Sequence, residues 1–312
     1  MKLWSLPSFL LILIFATPIS FIAIAQDEAA EENTNQEAAA QEKTGEQSET
    51  TPNDSASEAA KIEPPVSLIE QFTSDIERSV SQELVTPMLA GTENFLTITQ
   101  PDSHQSDKGV AILLPEWSQP ATDARAINFL RQHLPTEGWT TITVQPLLKP
   151  EGYPSLADRQ ALADEENQKI FDDYQSELTT IMTSVMEKAA EYPGIFLVVA
   201  QGNNAAMLAD LYSEDKVDKP NAFVTLSAHL LTPQDNKNLA DTIADSDIPT
   251  LDIILKRDNL WVEHFAETRL RNAKRALKPY YRQRELTNFR AGYYPSEALA
   301  KEIKGWLTTI GW

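Results

Sequence analysis

Apolar positions along the chain follow two spacings in turn. Ile69, Phe72, Ile76, Val80, Leu84 and Met88 recur every three or four residues, which predicts an amphipathic helix over 66–89, broken near Pro87. An edge strand is expected at 94–99. The run from Gly109 to Leu114 is the unbroken kind found in parallel strands covered on both faces. Helices are then expected at 122–134, 158–191, 205–213, 234–244, 259–277 and 295–310. Between them the spacing predicts strands at 140–146, 194–201, 222–228, 249–256 and 281–289. This alternation predicts an α/β fold, a mostly parallel doubly wound sheet with helices on both faces.

The first 25 residues interrupt that picture. Lys2 precedes an apolar run from Phe9 to Ile24, and Ala23-Ile24-Ala25 is a small-x-small site, the layout of a cleavable signal peptide over 1–25. An uncleaved anchor is the alternative, since about 20 apolar residues span a bilayer. Pro18 and the small residues favour cleavage after Ala25, with no stable membrane insertion afterwards. The chain has no cysteine, which excludes disulfides, thiolate metal sites and a lipid-bearing cysteine and favours a bacterial periplasm.

Residues 26–62 carry 10 acidic and 2 basic residues and few apolar ones, so a disordered acidic linker is expected ahead of a folded body over 63–312. The whole chain has a formal net charge of −20. Nucleic acid is therefore an unsuitable partner, because phosphate contacts need a basic surface.

Candidate chemistry centres on Ile195 to Ala206. A buried strand running into Gly202-Asn203-Asn204-Ala205-Ala206 has the outline of a hydrolase nucleophile elbow, with Asn204 where the serine stands and Gly202 and Ala206 as its small flanks. An amide cannot replace a hydroxyl there, because its nitrogen lone pair is delocalised.

With Asp258 after the penultimate strand and one helix at the end, the order resembles the α/β-hydrolase superfamily. Gly109 to Trp117, the phrase Gly138 to Gln145 and the altered elbow are similar to an exported proteobacterial family known only as domain of unknown function 3530. The resemblance implies a hydrolase fold in which Asn204 holds the nucleophile position and Asp258 the acid position. The histidine would fall at 288–293, yet none of the four histidines lies beyond His264. Serine and histidine act as a unit, so losing both removes that mechanism. Backbone N–H groups near Trp117 and at Ala205 would remain as a cradle for a carbonyl or carboxylate.

Two readings of function follow. In the first, the chain is a periplasmic binding or interaction module for a small molecule or an envelope partner. Its cleft is lined by Glu116, Trp117, Asn203, Asn204, His229 and Asp258. In the second, His229 with Glu116 or Asp258 activates a water, and Ser227 joins the group. The plain alternative for His229 is a ring hydrogen-bonded to a loop carbonyl.

No metal or cofactor is expected. His264 lacks a helical partner ligand, with Leu260 and Thr268 at the two neighbouring positions, and His104 falls in a loop. Arg269, Arg271, Lys274, Arg275, Lys278, Arg282 and Arg284 form a basic concentration. It would meet an anionic ligand, a lipid surface or the acidic linker, or simply face water. Tyr280, Tyr281, Tyr293 and Tyr294 flank it as core-edge residues.

Overall fold

The computed structural model of the chain describes residues 65–91, 93–117 and 119–312. The expected signal peptide and acidic linker lie outside them. Eight strands form one sheet: β1 Val85–Ala90, β2 Glu93–Gln100, β3 Gly109–Leu114, β4 Trp139–Val144, β5 Ile195–Gln201, β6 Ala222–Leu226, β7 Thr250–Leu255 and β8 Arg282–Leu286. Their order is β1-β2-β4-β3-β5-β6-β7-β8. The β1–β2 and β2–β4 pairs are antiparallel and every later pair is parallel.

The helices are α1 Leu68–Ser79, α2 Ala126–His133, α3 Gln160–Ala189, α4 Gly202–Ser213, α5 Pro233–Asp245, α6 Leu260–Arg275 and α7 Ser296–Thr309. Side chains alternate between the faces of a strand, so each sheet face carries its own core. Val110, Ile112 and Leu114 of β3 join Leu178 and Met182 of α3 and Met207 and Leu208 of α4. Ala111 and Leu113 instead join Ile127 and Leu130 of α2 and Leu299, Ile303 and Trp306 of α7. Both cores need the near-continuous apolar strands seen in the sequence.

The start of the body departs from the helical spacing. Helix α1 opens on a Ser67–Glu70 capping box and stops at Ser79, where Val80 turns extended. Residues 85–90 form β1 instead of the second half of a helix. They pair in register with β2, Val85 opposite Ile98 through Ala90 opposite Glu93. Pro87 fits there because β1 is the edge strand, where a missing N–H breaks no ladder. The strand expected at the edge, 94–99, is thus an inner one. Spacing failed here because local periodicity says nothing about a hairpin partner. The helix expected at 122–134 starts only at Ala126, with a 3-10 turn from Leu134 to Glu137 completing the connection.

The basic concentration also divides in three dimensions. Arg269 is fully buried and donates through Nε to Asp252 Oδ2 at 2.9 Å and through a terminal nitrogen to the carbonyl of Ala228 at 3.2 Å. Lys278 is buried too, donating to the carbonyl of Ser246. Neither faces water, and neither is free to take an anion. Among the described residues no helix is long and apolar enough to cross a membrane.

Candidate functional site

Strand β5 enters α4 through Gly202, whose φ is +57°. An elbow requires one strained left-handed residue at this junction, and that residue carries the nucleophile. The position therefore falls at Gly202, two residues before Asn204, and it holds no side chain. A Cβ built on Gly202 would lie 2.5 Å from Glu116 Cδ and 2.7 Å from its Oε1. Glu116, in the loop after β3, thus places its carboxyl where a nucleophile side chain would stand.

Asn204 is turned elsewhere. It is fully buried, accepts from the Tyr174 hydroxyl at 2.6 Å and donates to the carbonyl of Pro115 at 2.7 Å, so it ties α4 to α3 and to the end of β3. Asn203 is likewise spent, donating to the carbonyl of His229 at 3.0 Å. Trp117 lies buried edge-on to Tyr153 and Tyr174, with ring centroids 5.8 and 5.6 Å away. A cavity of about 240 Å³ opens at the carboxyl ends of the parallel strands, lined by Glu116, Gln201, Ser227, His229, Asp258 and Tyr294. Of the six residues expected to line a cleft, Glu116, His229 and Asp258 do so, while Trp117, Asn203 and Asn204 are structural ties outside that lining.

The donors around the cavity are assigned by their partners. His229 Nδ1 faces the carbonyl of Ser227 at 2.9 Å. A carbonyl only accepts, so in the neutral ring Nδ1 carries the proton and Nε2 presents its lone pair. Nε2 lies 3.8 Å from Glu116 Oε1, too long for a direct hydrogen bond. Ser227 donates to Asp258 Oδ2 at 2.6 Å, which leaves its oxygen to accept from the Tyr294 hydroxyl. Asp258 Oδ2 also accepts from the Leu255 N–H at 2.7 Å. Tyr294 follows β8, one residue past the 288–293 stretch where a histidine was expected, and reaches the acid through Ser227.

Electrostatics sharpen the role of Glu116. Burial raises its carboxyl above the ordinary 4.5, His229 and Arg125 pull it down, and Asp258 raises it again. Gln119 holds its other oxygen at 3.0 Å. Burial, with Asp258 next in effect, pushes the Tyr294 phenol well above 10, so it stays a neutral donor. Gly202 and Tyr294 were missed as site residues. The available signal for the first was a glycine at the strand-to-helix junction, where a turn of positive φ is needed. Among the described residues, no group of three His, Asp or Glu side chains could hold a metal ion.

A family model described as Protein of unknown function (DUF3530) matches residues 7–191 and 182–309. The chain belongs to that family. Several solved structures share the fold of this DUF3530 protein. Esterase 2 of Thermogutta terrifontis, phosphorylated by paraoxon, is 11% identical with a TM-score of 0.53 over 74% of this chain and 96% of its own. Est1E of Butyrivibrio proteoclasticus, solved with ferulic acid bound, is 8% identical with a TM-score of 0.53 over 72% and 98%. An α/β serine hydrolase homologue from Coxiella burnetii is 8% identical with a TM-score of 0.50 over 74% and 99%. At such identities the likeness is one of fold: the DUF3530 body is an α/β-hydrolase fold. No curated protein matches the chain in sequence.

Proposed function

We propose that this DUF3530 protein is an exported, periplasmic α/β-hydrolase-fold protein that holds a small ligand in the cleft above β5 and carries out no serine-hydrolase chemistry. One observation carries the reading: the left-handed turn of the elbow is Gly202, and the Glu116 carboxyl fills the space of the absent side chain. Ser227 does not take over as a nucleophile. Its hydroxyl is committed to Asp258, and His229 points its protonated nitrogen at the Ser227 carbonyl, so no histidine base faces the Ser227 oxygen.

A fluorophosphonate probe followed by intact-mass measurement tests this. The expected result is no stoichiometric adduct, and full labelling of a single serine would overturn the proposal. Export is tested separately by fractionating cells that express the full chain, with mature protein beginning at Gln26 expected in the periplasmic fraction.

A second reading rests on the 3.8 Å separation of His229 Nε2 and Glu116 Oε1, a gap that one water spans. In that reading one of the two groups takes a proton from the water, the hydroxide adds to a bound ester carbonyl, and the same proton passes to the alkoxide as the acyl C–O bond breaks. Ester turnover that is insensitive to the fluorophosphonate and falls at least about a hundredfold in Glu116→Gln would favour it over simple binding.

A further inference from the structure

The loop between β8 and α7 supplies Ala291, Gly292 and Tyr294 to the cavity wall. It also carries a cation next to that wall in the chain, since Arg290 directly precedes Ala291. The Arg290 guanidinium lies 4.6 Å from the centroid of the Tyr293 ring, and that of Arg125 lies 5.8 Å from the same ring. Arg257 is stitched to this loop, donating to the carbonyl of Phe289 at 2.7 Å and bonded through its backbone N–H to Asn288 at 2.9 Å. Three guanidinium groups therefore meet around one short loop, in a chain whose net charge is −20.

Their partners are unequal. Asp123 Oδ2 takes both the Nε of Arg125 at 2.7 Å and a terminal nitrogen at 2.6 Å. Arg290 has only the Tyr293 ring for its guanidinium among the described residues. Bringing two like charges onto one ring is unfavourable, and Asp123 offsets only part of it. An aromatic face pre-orients the planar fork of an arginine, which leaves its N–H groups directed outward for bidentate contact with a carboxylate or phosphate.

The cavity floor has the opposite character. Glu116 and Asp258 are acidic, His229 offers the lone pair of Nε2, and the Ser227 and Tyr294 protons are already committed. An anion would be repelled from the floor and held at the mouth, while a hydroxyl or amine would be welcomed below. The cavity, about 240 Å³, has room for a small organic molecule.

We propose that the cleft takes a small organic anion whose carboxylate or phosphate is gripped by Arg290, beside Arg125 at the mouth, with a hydroxyl or amine at its far end directed to Glu116 and His229. This rests on the reading of the cleft as a ligand site and adds to it the ligand's class and direction.

Titration calorimetry on the mature protein tests the pairing with three probes: 4-hydroxybutyrate, 3-hydroxypropyl phosphate and 1,4-butanediol. At least one anion is expected to bind about tenfold or more tightly than the diol, with the two anions reporting which head group is preferred. Arg290→Gln should erase that advantage and leave the diol unchanged. Ala291→Phe, which fills the mouth, should remove binding of all three. Equal binding of anions and diol, indifference to Arg290→Gln, or no binding of any probe at millimolar concentration overturns the anion subsite. Binding that survives Ala291→Phe overturns the cleft reading as well, so the two failures are separable.

Discussion

Gly202→Ala is expected to cost about 3 kcal/mol of folding stability by urea unfolding, and most of that loss should disappear in a Glu116→Ala background. Two effects add in the single variant. A side chain at φ +57° is strained by about 1–2 kcal/mol whatever surrounds it. The new Cβ also meets Glu116 Cδ at 2.5 Å, so the carboxyl must swing away and give up its bond from Gln119, a loss of about 1–3 kcal/mol for a hydrogen bond to a charged group. Removing the Glu116 side chain relieves the second effect alone, so the double-mutant cycle should give a coupling of about 2 kcal/mol. Strict additivity would mean that Glu116 does not occupy the nucleophile's place, and the functional proposal would lose its main support.

Arg269→Ala should cause the largest loss of stability, about 3–5 kcal/mol, because it leaves the Asp252 carboxylate buried without its cation. Asp252 is fully buried and receives Arg269, Tyr281 at 3.0 Å, Gln283 at 2.8 Å and Thr225 at 3.1 Å. Burial by itself would raise this carboxyl, but the charge and hydrogen bonds of Arg269, with Gln283 and Tyr281, hold it below 3.8. A carboxyl lowered in the folded state stabilises fully above its unfolded value. That contribution fades as pH falls from about 4 through the lower folded value. Wild type should therefore lose this part of its stability in acid, whereas Asp252→Asn, already destabilised at neutral pH, should show a flatter profile below pH about 4. Equal slopes for the two proteins would show that Asp252 is not held as an anion. Since Arg269 also holds the carbonyl of Ala228, next to His229, its loss should loosen the cavity wall.

The contrast between Arg269 and its neighbours shows where sequence reading stops. A run of arginines and lysines on a helix reads as a solvated face, and charge alone cannot reveal that one of them meets an aspartate on β7. Asn204 teaches the same lesson. Its spacing from Gly202 and Ala206 matches an elbow by residue type, yet the backbone places the left-handed residue at Gly202 and turns Asn204 toward Tyr174 and Pro115. The hairpin of β1 and β2 was hidden for a related reason, since apolar residues every three or four positions continue across Ser79 without a partner strand being visible.

What the chain alone determined is the alternation of apolar strands and amphipathic helices, and hence the layered α/β sheet. Burial on both faces of β3 and β5 demands continuous apolar runs, and such runs are local and legible. The lack of a histidine after β8 was legible as well, because it is a matter of residue type. Only the tertiary structure decided what replaces the chemistry. Glu116 and Gly202 are 86 positions apart in the chain, and a carboxyl seated where a side chain is missing becomes apparent only when adjacent strands β3 and β5 bring their ends together. Tyr294, Ser227 and Asp258 likewise come from three loops. Contacts between distant loops depend on backbone geometry and rotamers, which no spacing along the sequence encodes.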